Sequence, residues 1–402
     1  MERPATPPNF IDFDLDKNQN STAGLGNGPQ GYNNRYLSFP LPKTMALAAT
    51  DNTTEGVDPT ILALRKILTS ESEPLARRYR ALFSLKHLAC QQPPTERTLP
   101  AIQAIAAAFS SRSTLLKHEL AYCLGQSKNF AAVPYLQDVL RNREEDAMCR
   151  HEAAEALGAL GHVGSLDILK AMRDDKNEPD VIRETCDIAV DRILWENSEE
   201  RKSEKLKKRY ISKFYAIPRF FWLTIRFFNN SDFASIDPAP PLPLSSKEYS
   251  IPELEETLLN TSLPLFQRYR AMFALRDLAS PPDLPTAVPA VQALAKGLKD
   301  PSALFRHEIA FVFGQLCHPA AIPSLTATLS NKEEVGMVRH EAAEALGSLG
   351  DEEGVEETLK KFRDDPEQVV RDSIAVALDM AEYEKNGEME YALIPDTAVP
   401  AA

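Results

Sequence analysis

Arg150-His151-Glu152-Ala153-Ala154-Glu155-Ala156-Leu157-Gly158 returns residue for residue from Arg339 to Gly347. Upstream of it, Lys117-His118-Glu119-Leu120-Ala121 returns as Arg306-His307-Glu308-Ile309-Ala310, and Arg78-Tyr79-Arg80-Ala81 as Arg268-Tyr269-Arg270-Ala271. Downstream, Val181-Ile182-Arg183-Glu184 returns as Val369-Val370-Arg371-Asp372. The chain is therefore an internal duplication. Apolar residues recur at three- and four-residue spacing through both copies and strand signals are scarce, so both copies read as helical.

A shorter period runs inside each half. Arg80, His118, His151 and Arg183 lie 38, 33 and 32 residues apart, and Arg270, His307, His340 and Arg371 lie 37, 33 and 31 apart. An all-helical period in the low thirties marks stacked helical hairpins, none of which can bury its apolar face alone. The expected fold is all-α, a helical-hairpin solenoid of eight repeats in two duplicated halves of four. Pro134 and Pro323 read as opening the second helix of a hairpin, where a missing N–H is tolerated. Gly158 to Gly161 and Gly347 to Gly350 read as closing the preceding helix.

The two halves are assigned to residues 58–195 and 251–385. Residues 1–57, rich in Asn, Gly, Pro and Ser, read as a disordered extension, and 386–402 as a tail. Residues 196–250 do not repeat. Their first part is basic and aromatic, with Phe220-Phe221-Trp222-Leu223-Thr224-Ile225, and Pro238 to Pro243 reads as a stiff linker. Contact of the basic stretch with a membrane surface or nucleic acid is outweighed by the plainer reading, apolar residues packing on the solenoid.

The 402 residues carry 45 Lys+Arg against 58 Asp+Glu, a net charge of -13. Without a basic field to meet phosphate, nucleic acid is not an expected partner. An acidic surface suits a basic protein or an amine. No apolar run reaches about 18 residues, so no membrane span is expected. The N-terminus lacks an apolar leader, and the five cysteines form no CxxC pair. Both point to a cytoplasmic protein with core thiols, expected to act as a monomer.

Four of the seven histidines precede glutamate directly: His118-Glu119, His151-Glu152, His307-Glu308 and His340-Glu341. Neighbours on a helix point about 100° apart, so each pair fans along one edge. Equivalent helices of stacked hairpins line one surface, so His118 can approach His151, and His307 can approach His340. If the halves face each other, the two clusters meet. A zinc protease would need a second histidine where Glu155 stands, and structural zinc favours cysteine. Two histidines and a carboxylate with open positions suit a non-haem Fe(II) that binds dioxygen. Two such sets suggest two irons, arranged unlike the Glu-x-x-His of ferritin-like bundles.

A lone helical histidine is usually an ordinary core or surface residue, but four at register-equivalent places are not. His87, His162 and His318 lack such partners and read as structural. Glu155 and Glu344 read as solvated or helix-pairing. Arg80, Arg183, Arg270 and Arg371 read as the same position in terminal repeats, paired with acids and holding no metal.

At these residues the sequence resembles the deoxyhypusine hydroxylase (deoxyhypusine monooxygenase) family. The segment Arg306 to Gln315 and the twice-used Arg-His-Glu-Ala-Ala-Glu-Ala-Leu-Gly are similar to its signatures. The resemblance covers roughly residues 58–195 and 250–385 and implies a HEAT-like solenoid carrying a di-iron centre. It implies hydroxylation of a deoxyhypusine residue in translation initiation factor 5A to hypusine, with O2 as co-substrate and two Fe(II) ions per chain. It further implies that His118, His151 and Glu152 hold one iron, and His307, His340 and Glu341 the other. Glu119 and Glu308 would receive the substrate's cationic amines or join the ligands. The rival readings are a non-catalytic HEAT-repeat scaffold and a lyase resembling phycobilin lyases, neither of which needs paired His-Glu motifs.

Overall fold

The computed structural model describes residues 58–199, 201, 235–242 and 249–385. The extension over 1–57, the basic-aromatic stretch and the tail therefore lie outside the described residues. All regular structure in the described residues is helical. The first half runs α1 (Pro59–Thr69), α2 (Leu75–Ala89), α3 (Thr98–Ala106), α4 (Thr114–Gln126), α5 (Val133–Arg141), α6 (Ala147–Ala159), α7 (Leu166–Asp174) and α8 (Asp180–Glu196). The second runs α9 (Ile251–Leu259), α10 (Leu265–Leu278), α11 (Ala287–Lys296), α12 (Ala303–Leu316), α13 (Ile322–Ser330), α14 (Gly336–Gly347), α15 (Val355–Lys360) and α16 (Gln368–Lys385).

Odd and even helices pair as hairpins, and the even helices stack on one another as an inner layer, α4 on α6 on α8 and α12 on α14 on α16. Pro134 and Pro323 do open helices, α5 and α13, but these are the first helices of their hairpins. The stacking distance is set by glycine. A Cβ on Gly125 of α4 would come within 2.8 Å of the Ala156 Cα on α6, and one on Gly158 within 2.9 Å of the Ala189 Cα on α8. These contacts bring successive inner helices together backbone to backbone. We expect Gly125→Ala to cost about 1–3 kcal/mol by forcing α4 off α6, outweighing the ~1 kcal/mol that alanine gains in helix propensity. Chemical denaturation measures it, and a stabilised variant would refute the packing argument.

A buried arginine fixes the register of the repeats. The Nε of Arg78, Arg150, Arg268 and Arg339 each donates to the carbonyl ten residues upstream, at 2.9–3.0 Å. Arg183 does the same to Arg173 at 3.4 Å. This corrects the register read from sequence. Arg80 and Arg270 are equivalent to Glu119 and Glu308, whereas Arg183 and Arg371 match the residue before histidine. The positions equivalent to the four histidines in the terminal repeats are Tyr79, Glu184, Tyr269 and Asp372. Arg80 pairs with Asp379 (2.8 Å) and Arg183 with Asp180 (3.0 Å). Arg270 donates to the Pro240 carbonyl, and Arg371 to the carbonyls of Asp365 and Pro366.

The two halves close on each other at both ends, α8 against α10 and α16 against α2. The junctions match each other. Ser113 caps α4 by accepting from Leu116 N and donates across to Asp372 at 3.1 Å. Ser302 caps α12 by accepting from Phe305 N and donates across to Glu184 at 2.7 Å. Arg80 lies over the Tyr383 ring and Arg270 over Trp195. The inner helices of both halves therefore face one central axis.

Residues 235–242, expected as a linker, form a buried strap between the halves. Gln126 of α4 holds Ile236 through both its backbone N–H (2.7 Å) and its carbonyl (3.3 Å). Gln315, the equivalent residue of α12, donates to Ser235 at 2.6 Å. Asp237 accepts two 2.8 Å bonds from Arg276, which has no solvent exposure.

Candidate metal centre

His118 and His307 sit one turn inside their serine-capped helices, α4 and α12, and His151 and His340 at matching places in α6 and α14. All four are buried, with His151 and His340 at 0 % exposure. Their ring centroids form a close group. Within each half the separations are 5.3 Å (His118–His151) and 5.4 Å (His307–His340). Across the axis they are 5.3 Å for both His118–His340 and His151–His307, and 5.8 Å for His118–His307. The duplicated motifs thus converge on one site.

The second glutamate of each half turns back to the first histidine. Glu152 Oε2 lies 3.3 Å from His118 Nε2, and Glu341 Oε2 lies 3.4 Å from His307 Nε2. Ligand atoms of His307, His340 and Glu341 fall within 4.8 Å of one another, as do those of His118, His151 and His307, and those of His151, Glu152 and Glu155. The carboxylates of Glu119 and Glu308 are buried at the same site. Glu119 accepts from the Cys123 thiol at 3.7 Å and feels the nearby Lys86 ammonium.

Burial governs the charges. It pushes the carboxyl of Glu119 up to about 7, Lys86 offsetting part of the effect. Burial and neighbouring carboxylates raise Glu152, Glu308 and Glu341 further. Burial, reinforced by the other rings, lowers His151 and His340 well below the usual imidazole value and His307 to about 3. The imidazoles of His151, His307 and His340 are therefore neutral at physiological pH, the form that binds a metal.

Whether these residues suit a metal is tested by their hydrogen bonding. Both ring nitrogens of His151, His307 and His340, and Nε2 of His118, are buried without a hydrogen-bond partner among the described residues, and so is Oε1 of Glu308. Buried polar atoms are rarely left so, because each costs about 1–3 kcal/mol. Neutral imidazoles and clustered carboxylates answer the needs of a divalent cation, which would satisfy the nitrogens and discharge the acids together.

The histidines expected to be structural stand apart from the four clustered rings. His162 Nδ1 meets Ser165 at 2.9 Å, His318 Nδ1 accepts from Ala320 N, and His87 is exposed. Glu155 and Glu344, expected at solvated or helix-pairing places, lie half-buried beside the histidines, and Glu344 pairs with Ser373 of the next helix at 3.1 Å. Sequence reasoning missed Lys86, Asp237 and Gln126 altogether. The one available signal was that Gln126 and Gln315 repeat in register.

Comparison with known proteins agrees with this geometry. A model of HEAT repeats matches residues 102–187 and 291–379. Deoxyhypusine hydroxylase of Neosartorya fischeri is 75% identical over 358 residues, covering 89% of this chain and 100% of the relative. The chain belongs to the deoxyhypusine hydroxylase family. The Aspergillus fumigatus member is likewise 75% identical over 89% of the chain and 100% of its own length. The structure of human deoxyhypusine hydroxylase in complex with glycerol superposes with a TM-score of 0.65 at 42% identity, covering 80% of this chain and 96% of that one. Membership in the deoxyhypusine hydroxylase family bears out the all-helical repeat fold and makes the chain an oxidoreductase of the monooxygenase type, so the scaffold and lyase readings lapse.

The charge pattern yields a pH prediction for the metal-free protein. The folded Glu119 carboxyl, near 7, lies above its ordinary 4.5, so stability from this group is complete below 4.5 and is lost as pH rises through 7. Glu152, Glu308 and Glu341, raised in the same direction, add to that loss as pH rises. His307 acts oppositely, its stability being lost as pH falls from 6.5 toward about 3. As pH rises through 7 the melting temperature of the metal-free protein should fall relative to that of the metal-loaded protein. Parallel curves would contradict this.

Proposed function

We propose that the chain hydroxylates the deoxyhypusine side chain of translation initiation factor 5A to hypusine, using two irons. His118, His151 and Glu152 would hold one ion, and His307, His340 and Glu341 the other. What carries this reading is the convergence of all four His-Glu pairs, from both halves, on one buried cluster of imidazoles and carboxyls. Bound iron would supply the activation of O2, whose one atom enters a C–H bond of the aminobutyl arm while the other leaves as water, with two electrons and two protons from a reductant.

The protein's own part is to bind, orient and keep water out. Glu119 and Glu308 would accept the cationic amines of the arm, since a buried ammonium needs an anionic partner. A substrate amine arriving at Glu308 would satisfy its unpartnered Oε1. Burial of the histidines keeps bulk water from the reacting carbon. The net charge of -13 favours approach of a basic protein surface. No helix of the described residues is long and apolar enough to cross a membrane. We take the protein to act as a cytoplasmic monomer.

The test is a single turnover of iron-loaded protein with deoxyhypusine-bearing factor and O2, read by peptide mass. A gain of one oxygen atom on the aminobutyl arm is expected. No gain with two irons bound would sink the substrate assignment, and no gain without iron would sink the metal assignment as well.

A further inference from the structure

Two glutamates at the site have no part in the ligand sets above. Glu344 follows His340 by one helical turn on α14, and Glu155 follows His151 by one turn on α6, so each shares a face with its histidine. Glu344 Oε1 lies 3.7 Å from His340 Nδ1. The same oxygen accepts a 3.1 Å hydrogen bond from Ser373 on α16, the next helix of the stack, which fixes the carboxylate from behind. In the other half, a Glu155 oxygen falls within 4.8 Å of ligand atoms of both His151 and Glu152. His151 and His340 are fully buried, and neither nitrogen of either ring has a hydrogen-bond partner among the described residues.

A metal-bound histidine nearly always donates its second ring N–H to a carboxylate or carbonyl, which fixes the tautomer and aims the other nitrogen. In an α-helix the carbonyls are taken by the helix itself, so a side chain one turn away is the natural acceptor. The geometry points to Glu344 and Glu155 as positioning residues: each accepts the Nδ1 proton of the histidine one turn before it and holds that ring's Nε2 toward the metal. This rests on the reading of His151 and His340 as ligands. The two halves differ in firmness. The residue equivalent to Ser373 is Thr185, whose hydroxyl donates to the Val181 carbonyl of its own helix at 2.7 Å. Glu344 is therefore braced by a neighbouring helix in a way that Glu155 is not, and the His340 ring is the more firmly held.

Cobalt(II) is the probe, titrated into metal-free full-length protein and followed by visible absorption. We expect Glu344→Ala to weaken one of the two cobalt sites by about ten- to a hundredfold while the metal-free variant melts as the wild type does. Glu344→Gln keeps an acceptor oxygen and should recover most of the affinity. Ser373→Ala, which removes only the brace, should weaken the same site several-fold, and it carries the comparison if the alanine variant fails to fold. Glu155→Ala should affect the other site, and by less. Wild-type cobalt affinity in both Glu344→Ala and Ser373→Ala would overturn the inference. So would a Glu344→Gln variant as weak as alanine, because that result makes the carboxylate itself a ligand. A wild-type chain that takes up no cobalt would instead defeat the metal reading, and this inference with it.

Discussion

His307→Ala should lose one of the two irons and lower hydroxylation by about a thousandfold or more. The His307 ring packs within 6 Å of three other imidazoles, at 5.8, 5.3 and 5.4 Å from His118, His151 and His340, and its Nε2 faces Glu341 at 3.4 Å. With His118, it is thus a residue through which both halves meet at the axis. Removing it would take away one of the two imidazoles assigned to the second iron. A metal's stabilisation of developing charge is worth several kcal/mol, and about 4 kcal/mol is three decades in rate. Iron content per chain and single-turnover yield are the readouts. Added imidazole, small enough to enter the space the ring leaves, should restore part of both. A variant that retains two irons would remove His307 from the ligand set.

Asp237→Asn should destabilise the fold by about 3–5 kcal/mol while leaving all four His-Glu pairs intact. Arg276 is fully buried, and Asp237 meets it with two bonds of 2.8 Å. Gln315 contributes a further 2.8 Å bond and Asp277 one at 3.2 Å. Loss of the Asp237 charge leaves a desolvated guanidinium with Asp277 as its adjacent acid, which places the effect toward the lower end of the range. The same change loosens the strap, whose Ile236 is held by α4 and whose Ser235 and Asp237 are held by α10 and α12. Urea denaturation at neutral pH gives the number. A loss below about 1 kcal/mol would mean that the strap is a passive cover.

Much of the site was readable before any coordinates because repeat proteins are nearly one-dimensional. A residue's place in its repeat fixes the surface it lines, so the His-Glu pairs in register announce one cluster in each half, and the sequence leaves open only whether the halves face each other. The register itself was misread by its arginines. Arg78 and Arg80 both flank Tyr79, and period counting cannot choose between them. Only the hydrogen bond of Arg78 to the carbonyl ten residues upstream decides it. The burial of Glu155 and Glu344 beside the histidines was not legible for a related reason. A helical repeat shows that they share a face with His151 and His340, but not that α8 and α16 cover that face. Asp237 was illegible because a proline-rich strap has no periodicity, and its partner Arg276 matches Lys86 in the other half in charge alone.

The central claim is that the two halves build one two-iron centre, and metal analysis joined to spectroscopy tests it most directly. The account predicts two irons per folded chain, magnetically coupled to each other, and loss of the coupling when His118 or His307 becomes alanine. Two uncoupled irons, a single iron, or none in a chain that nonetheless hydroxylates its substrate would contradict it.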